Sequence, residues 1–320
     1  MNWNKAIGGY FELELNDFGG IYHNDLIALN SGRNAFEFIL LQNDYKKVFI
    51  PYYTCDVILQ PLKRLNLDFE YYHMDESFMP LIKELKGDEV LIYTNYYGLG
   101  THLLNKVISN HKNVIIDNSQ AFFEVPQTGV PTFYSPRKFF GVPDGGFAYV
   151  PQINKEINLK EDISEDRISH LIRRIDRNPE DGYALFKQND AKLDNLPVRK
   201  MSNLTKKLLM SINYNQISNQ RKQNFETLHK HFYKSNELSW LIEKGGFHTP
   251  MVYPYLNKNS NMRKALIENK IFVPTYWPNV FDWTDKNARE YYYAKNVLPL
   301  PIDQRYEKKD MERIIKIIRS

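Results

Sequence analysis

Between residues 30 and 150, short β-branched runs alternate with amphipathic stretches, and this rhythm leaves few fold classes open. Val48-Phe49-Ile50 reads as a buried strand stopped by Pro51, and residues 55–65 read as a helix. Leu67-Asp68-Phe69-Glu70-Tyr71 and Val90-Leu91-Ile92-Tyr93 read as the next strands. Residues 101–110 follow as a helix, and Val114-Ile115-Ile116 is a strand that ends at Asp117. Phe147-Ala148-Tyr149-Val150 comes after a Gly145-Gly146 turn, and residues 34–41 form a helix whose N-terminus lies at Ser31-Gly32. Strands and helices at this spacing predict an α/β fold with a mostly parallel central sheet flanked by helices. Right-handed crossovers then place the strand C-termini on one edge, where ligands of such sheets bind.

Beyond residue 158 the text turns polar and helical up to about residue 235. Strands are expected at residues 250–254 and 271–273, and helices at 262–268 and 310–318, which together make a smaller α/β unit. A chain of 320 residues suits about two domains. The division expected is 1–230, an N-terminal arm and large α/β domain, and 231–320, a small C-terminal domain.

Composition narrows the function classes. Hydrophobic residues make up 42% and charged residues 25%, which excludes a disordered or collagen-like chain. The net charge of +4 is spread along the sequence and forms no basic stripe, so no nucleic-acid partner is expected. Cys55 is the single cysteine, which excludes an intramolecular disulfide and a Cys-rich zinc site and suits a reducing compartment. Residues 1–10 show no signal-peptide core, and no apolar run approaches the roughly 18 residues of a membrane span. A cytoplasmic protein without a membrane partner is the expectation.

The common catalytic signatures are absent: no Gly-x-Ser-x-Gly, no His-Glu-x-x-His, no phosphate loop ending in Gly-Lys-Ser/Thr. The histidines pair with no carboxylates at ligand spacing, so no metal is assigned. Four strand-end segments carry chemistry instead. Asn30-Ser31-Gly32-Arg33-Asn34 puts small residues at a helix start, where free N–H groups and the dipole favour a phosphate, although Ser-Gly is also an ordinary cap. Asp117-Asn118-Ser119-Gln120 places a carboxylate at the ligand edge, able to face a cationic ring nitrogen or to cap a helix. Lys138 stands between aromatics and a Pro/Gly turn, where desolvation would free its amine for covalent chemistry; the alternative is a surface lysine. Pro51-Tyr52-Tyr53-Thr54-Cys55 adds aromatic faces at another strand end. Cys55 itself reads as a small buried residue.

The order of these segments resembles the DegT/DnrJ/StrS-type sugar aminotransferases, fold-type-I enzymes that use pyridoxal 5′-phosphate, over nearly the whole chain. Ser31-Gly32-Arg33 falls where that family binds the phosphate. Asp117-Asn118-Ser119-Gln120-Ala121 is similar to its Asp-x-x-Gln/His-Ala motif, in which Asp meets the pyridine nitrogen and Gln lies beside the ring. Ser135-Pro136-Arg137-Lys138 with Asp144-Gly145-Gly146 resembles its Pro-Thr-Lys…Gly-Asp-Gly-Gly signature, whose lysine binds the cofactor covalently. Residues 271–278 and 297–301 resemble stretches of its small C-terminal domain. The chain departs from the pattern at Phe133, where the family has Ser, so that Ser135 or Thr132 must replace that hydroxyl. It departs again at Cys55, where an aromatic often stacks on the ring and Tyr53 or Tyr96 is the substitute. Asn213 and Asn215 lie where many members donate an Asn across the dimer interface.

The resemblance implies Lys138 as the catalytic residue, with Ser31, Gly32, Arg33, Asp117, Gln120, Ser135 and Tyr53 joining it in the cofactor site. It implies a homodimer that moves an amino group from an amino acid donor to a nucleotide-linked keto-sugar in surface polysaccharide biosynthesis. The alternatives are a non-catalytic binding or scaffold protein of this fold, or a sugar dehydratase; members of the latter kind typically lack the lysine that this chain keeps.

Overall fold

The computed structural model describes residues 8–82, 84–243, 249–258 and 262–320; the first seven residues of the stretch read as lacking a signal core lie outside them. The first half runs β1 (Ile27–Leu29), α1 (Gly32–Leu41), β2 (Lys47–Pro51), α2 (Leu59–Arg64), β3 (Asp68–Met74) and β4 (Pro80–Leu81). It continues through β5 (Glu89–Thr94), α3 (Thr101–Asn110), β6 (Val114–Asp117), β7 (Thr132–Tyr134) and β8 (Gly146–Tyr149). Four helices follow: α4 (Ser169–Asp176), α5 (Pro179–Ala191), α6 (Asn203–Met210) and α7 (Tyr214–Phe232). Near the end, β9 (Tyr253–Leu256) and β10 (Val297–Leu300) pair antiparallel, with helices Met262–Glu268 and Lys308–Arg319 nearby.

Eight strands form one sheet in the order β1-β8-β7-β6-β5-β2-β3-β4. The run from β7 to β3 is parallel, while β8 and β4 run against their neighbours. Every residue of β5 is buried, as a central parallel strand covered on both faces requires. Alternate side chains divide the core between the two faces. Val48, Ile50, Val90, Ile92 and Ile115 meet Phe36 and Ile39 of α1 on one side. Leu91, Tyr93, Val114 and Ile116 join α3 on the other, in a cluster that continues through Tyr53 to Leu300 and Ile314. The mostly parallel α/β sheet matches the expectation.

Several elements differ from the sequence reading. Strands β1, β4 and β7 have three, two and three residues, too few to show a period. Residues 271–273 form no strand, because the Ile271 N–H closes on the Leu266 carbonyl and the Val273 carbonyl accepts from Arg263. Strand β9 starts at Tyr253, since the Met251 N–H already donates to the Tyr97 carbonyl and the Met251 carbonyl accepts from Arg221. Helix α7 packs against β9 and the helix Lys308–Arg319, across the division expected at residue 230.

Candidate active site at the carboxyl edge of the sheet

Three of the four strand-end segments meet at one edge. Ser31 caps α1 from an extended backbone, its Oγ accepting from the Asn34 N–H at 3.1 Å. The N–H groups of Gly32 and Arg33 precede the first intrahelical bond, so they stand without helical partners at the positive end of the dipole. A Cβ on Gly32 would lie 3.1 Å from the Cβ of Ser135, so the missing side chain lets the two turns touch. The Ser135 hydroxyl makes no hydrogen bond among the described residues, whereas Thr132 Oγ1 donates to the Val130 carbonyl at 2.9 Å. Phe133 turns to the α1 side, its ring 5.4 Å from Phe36. Of the two hydroxyls weighed as substitutes, Ser135 is the one at the turn.

Asp117 ends β6 and is 7% exposed. Its Oδ1 accepts from the Ser119 N–H at 2.8 Å, and Thr94 Oγ1 donates to Oδ2 at 3.5 Å. No lysine, arginine or histidine among the described residues pairs with it. Removing a carboxylate from water without a cation is expensive, so such a group suits a site that receives positive charge. Lys138 Nζ donates to Ser119 Oγ at 2.9 Å, which joins the amine to the carboxylate's own loop. The sequence reading passed over Ser119; its position two residues after the strand-end acid is the signal that could have found it.

Lys138 is exposed, not desolvated between aromatics as expected. Phe139 and Phe140 turn into the core at 3% and 6% exposure, and the turn sends the lysine the other way. The turn is fixed from behind, where the Phe139 carbonyl accepts from Gln304 Nε2 at 2.9 Å and from Arg221 at 3.3 Å. Burial lowers the Arg221 guanidinium to about 10. Asp144 anchors the far end of the segment, accepting from the Ser202 N–H and from the hydroxyls of Ser202 and Thr205 at the start of α6, while burial pushes its carboxyl up. Gly145 adopts φ 120°, and a Cβ there would lie 2.9 Å from Pro136.

No family model and no curated protein matches the sequence. Solved structures do. DesV of S. venezuelae, in complex with a ketimine intermediate, superposes with TM-score 0.62 at 14% identity, covering 92% of this chain and 84% of that one. A DegT DnrJ EryC1 StrS aminotransferase from Brucella abortus gives TM-score 0.60 at 14% identity over 92% and 85%. The chain has the sugar-aminotransferase fold. The E. coli GDP-4-keto-6-deoxy-D-mannose-3-dehydratase with bound hydrated PLP gives TM-score 0.60 at 12% identity over 92% and 87%, so this fold also carries a dehydratase.

Within the sugar-aminotransferase fold the remaining candidates take other places. The Arg33 guanidinium is held by Asp194 and by Gln60 Oε1 at 3.0 Å, leaving the backbone N–H as what Arg33 offers the turn. Burial raises the Asp194 carboxyl, but Gln60 and Arg33 together hold it below its usual range. Gln120 is buried, and its Oε1 accepts from the Tyr97 N–H at 2.6 Å, bracing a residue at φ 61°. Tyr53, expected in the cofactor site, is fully buried instead. Its hydroxyl bonds Tyr97 Oη at 2.8 Å and its ring packs 5.1 Å from Trp277, because an aromatic pocket satisfies both halves of a tyrosine. Burial pushes the Cys55 thiol up, against the pull of the nearby Lys138 charge. Asn213 caps α7 through the Gln216 N–H, and Asn215 is exposed. Among the described residues no group of three His, Cys, Asp or Glu side chains could hold a metal.

Proposed function

We propose that the chain is a pyridoxal 5′-phosphate enzyme that transfers an amino group from an amino acid to a nucleotide-linked keto-sugar. The observation that carries this reading is the buried Asp117, without a cationic partner among the described residues, joined to the Lys138 amine through Ser119. The residues fit the cofactor. Gly32 and Arg33 N–H groups with the Ser135 hydroxyl would hold its phosphate, in a cradle that a Cβ on Gly32 would crowd. Asp117 would face its ring nitrogen, and Lys138 would bind it covalently. Bound there, the cofactor supplies an electron sink for charge developing on the donor's α-carbon.

Each residue then has a defined task. The Asp117 carboxylate, fixed in direction by the Ser119 N–H and Thr94 Oγ1, would keep the ring nitrogen of the bound cofactor protonated. Lys138 Nζ, once free, takes and returns the proton at the donor's α-carbon, with Ser119 Oγ holding the amine in reach. Arg137 is tied to Asp190 at 2.8 Å and Arg33 to Asp194, so both strand-end arginines already have carboxylate partners. The retained lysine favours amino transfer over dehydration. The reading includes a cytoplasmic homodimer serving surface polysaccharide biosynthesis; no helix among the described residues is long and apolar enough to cross a membrane. Borohydride reduction of the protein loaded with pyridoxal 5′-phosphate, followed by peptide mapping, should place the pyridoxyl adduct on Lys138. An adduct on another lysine, or none, overturns the assignment.

A further inference from the structure

Among the fully buried side chains, the largest carries a charge. Arg221 of α7 is 2% exposed, and no carboxylate pairs with it among the described residues. Burial lowers its guanidinium only to about 10, so it stays charged at neutral pH. A cation taken out of water without a counter-charge is expensive, and an apolar side chain would fill the space at less cost. What the position uses is the rigid fork of N–H donors, which no other side chain supplies. Nε donates to Gln304 Oε1 at 3.0 Å, Nη1 to the Met251 carbonyl at 3.0 Å, and Nη2 to the Phe139 carbonyl at 3.3 Å. The Phe139 ring lies 4.7 Å from the guanidinium, and Gln304 Nε2 donates to that same carbonyl at 2.9 Å.

These partners lead to both halves of the candidate site. Phe139 follows Lys138 directly, so the first arm of the fork holds the lysine turn. The second arm holds Met251, whose N–H donates to the Tyr97 carbonyl at 2.9 Å. The Tyr97 N–H in turn donates to Gln120 Oε1 at 2.6 Å. Gln120 follows Ser119, and Ser119 Oγ accepts from Lys138 Nζ at 2.9 Å. The result is a closed circuit: from Lys138 through Phe139, Arg221, Met251, Tyr97, Gln120 and Ser119, back to the Lys138 amine. Met251 and Tyr97 take part through their backbones alone, so Arg221 is the side chain that fixes the span between the two arms.

We propose that Arg221 is a positioning residue: by holding the Phe139 and Met251 carbonyls at a fixed separation, it sets where the Lys138 amine meets Ser119. The inference rests on the reading above that Lys138 is the residue that binds the cofactor, and it adds a group that touches neither the amine nor the Asp117 loop. It also makes the end of the chain part of the site. Met251 lies just before β9 and Gln304 just after β10, so the antiparallel pair is tied to the lysine turn through one guanidinium. A merely structural Arg221 would predict something else: its loss would cost stability and leave the Lys138–Ser119 contact as it is.

The test reads the amine in the cofactor-free chain, as the rate of Lys138 acetylation by limiting acetic anhydride, with exposed Lys316 as the internal reference. Arg221→Met keeps bulk and removes the fork. It should free the amine from Ser119 and raise the Lys138 rate by about threefold to tenfold, the worth of one hydrogen bond. Gln304→Leu removes one donor from the Phe139 carbonyl at a half-buried position, and should raise the rate by less; it decides the matter if Arg221→Met does not fold. Asn236→Ala is the control for lost stability. Asn236 is buried and bonds the Leu238 and Leu256 N–H groups and the Pro254 carbonyl, all outside the circuit, so the Lys138 rate should not change. In a Ser119→Ala chain, where the contact is already gone, Arg221→Met should add nothing. An unchanged Lys138 rate in the folded variants overturns the proposal. So does an equal rise in Asn236→Ala, or a rise that persists on Ser119→Ala. A pyridoxyl adduct on Lys138 with an unmoved acetylation rate sinks this inference alone; a moved rate with the adduct elsewhere sinks the functional reading alone.

Discussion

The carboxyl edge and the aromatic cluster behind it both draw on strand-end residues, yet they solve opposite problems. At the edge, Asp117 has no cationic partner and the Ser135 hydroxyl no hydrogen bond among the described residues, and Lys138 is exposed. Behind it, Tyr53, Tyr96 and Tyr97 are buried with their polar ends satisfied: Tyr53 by Tyr97, and Tyr96 by the Tyr53 carbonyl at 3.0 Å. The edge leaves groups unpaired for a ligand, whereas these three tyrosines pair theirs for stability; Tyr93 Oη, buried in the same cluster, makes no hydrogen bond among the described residues. Residue type alone does not separate the two regions; the polar ends of these three tyrosines do.

The sharpest way to break this contrast is Asp117→Asn. If the carboxylate is there to hold a proton on a ligand nitrogen, amino transfer should fall by about 10²–10³-fold, as for loss of one preorganised electrostatic group. The fold should persist, since Asn keeps an oxygen for the Ser119 N–H. Near-normal transfer rates in the variant would remove Asp117 from the mechanism and leave it a turn-forming residue.

The aromatic side should instead respond to acid. His23 lies with its ring 4.3 Å from Tyr134, and burial lowers its pKa from 6.5 to about 4. The folded state therefore binds the proton less readily than the unfolded chain. The contribution of His23 is complete above pH 6.5 and is lost as pH falls toward 4, by at most about 3.4 kcal/mol at 1.36 kcal/mol per unit. Denaturant unfolding of the native chain and of His23→Gln across this window measures it. An equally steep loss in the variant would assign the acid sensitivity to other groups.

The third comparison takes the two regions through one hydroxyl. Tyr53→Phe leaves Tyr97 Oη buried without its partner, which costs about 1–3 kcal/mol of stability. Lys138 labelling should be unchanged, because Tyr53 is fully buried and its hydroxyl is taken up by Tyr97. Loss of labelling at full stability would return Tyr53 to the cofactor site.

The edge was more legible in the sequence than the cluster, for physical reasons. An acid directly after a β-branched run can only emerge at a strand end, and paired glycines before the next strand mark a turn of fixed shape. Both are local facts, and β6 and β8 lie close to where they were expected. A tyrosine pair carries no such direction, since its ring suits a core and its hydroxyl suits a site equally. Arg33 misled for a different reason. Its partner Asp194 is 161 residues away, and only the folded chain brings the two together. The choice of Ser135 over Thr132 likewise needed the Val130 turn to occupy the threonine.

The smallest effect expected comes from Gly32→Ala, and it tests the cradle alone. The added Cβ would lie 3.1 Å from Ser135 Cβ and 3.5 Å from Ser135 Oγ and the Tyr134 carbonyl, a contact that must open by a few tenths of an ångström. Helix propensity favours alanine over glycine, so thermal stability should hold or change little. What the shift disturbs is the spacing between the first-turn N–H groups and the Ser135 hydroxyl, the three donors assigned to the phosphate. Affinity for pyridoxal 5′-phosphate should drop about tenfold, equivalent to about 1.4 kcal/mol. Gly87→Ala is the control, because nothing lies within 4 Å of a Cβ there. Equal affinities for the native chain and Gly32→Ala, measured by cofactor absorbance titration, would move the phosphate away from this turn while leaving Asp117 and Lys138 in place.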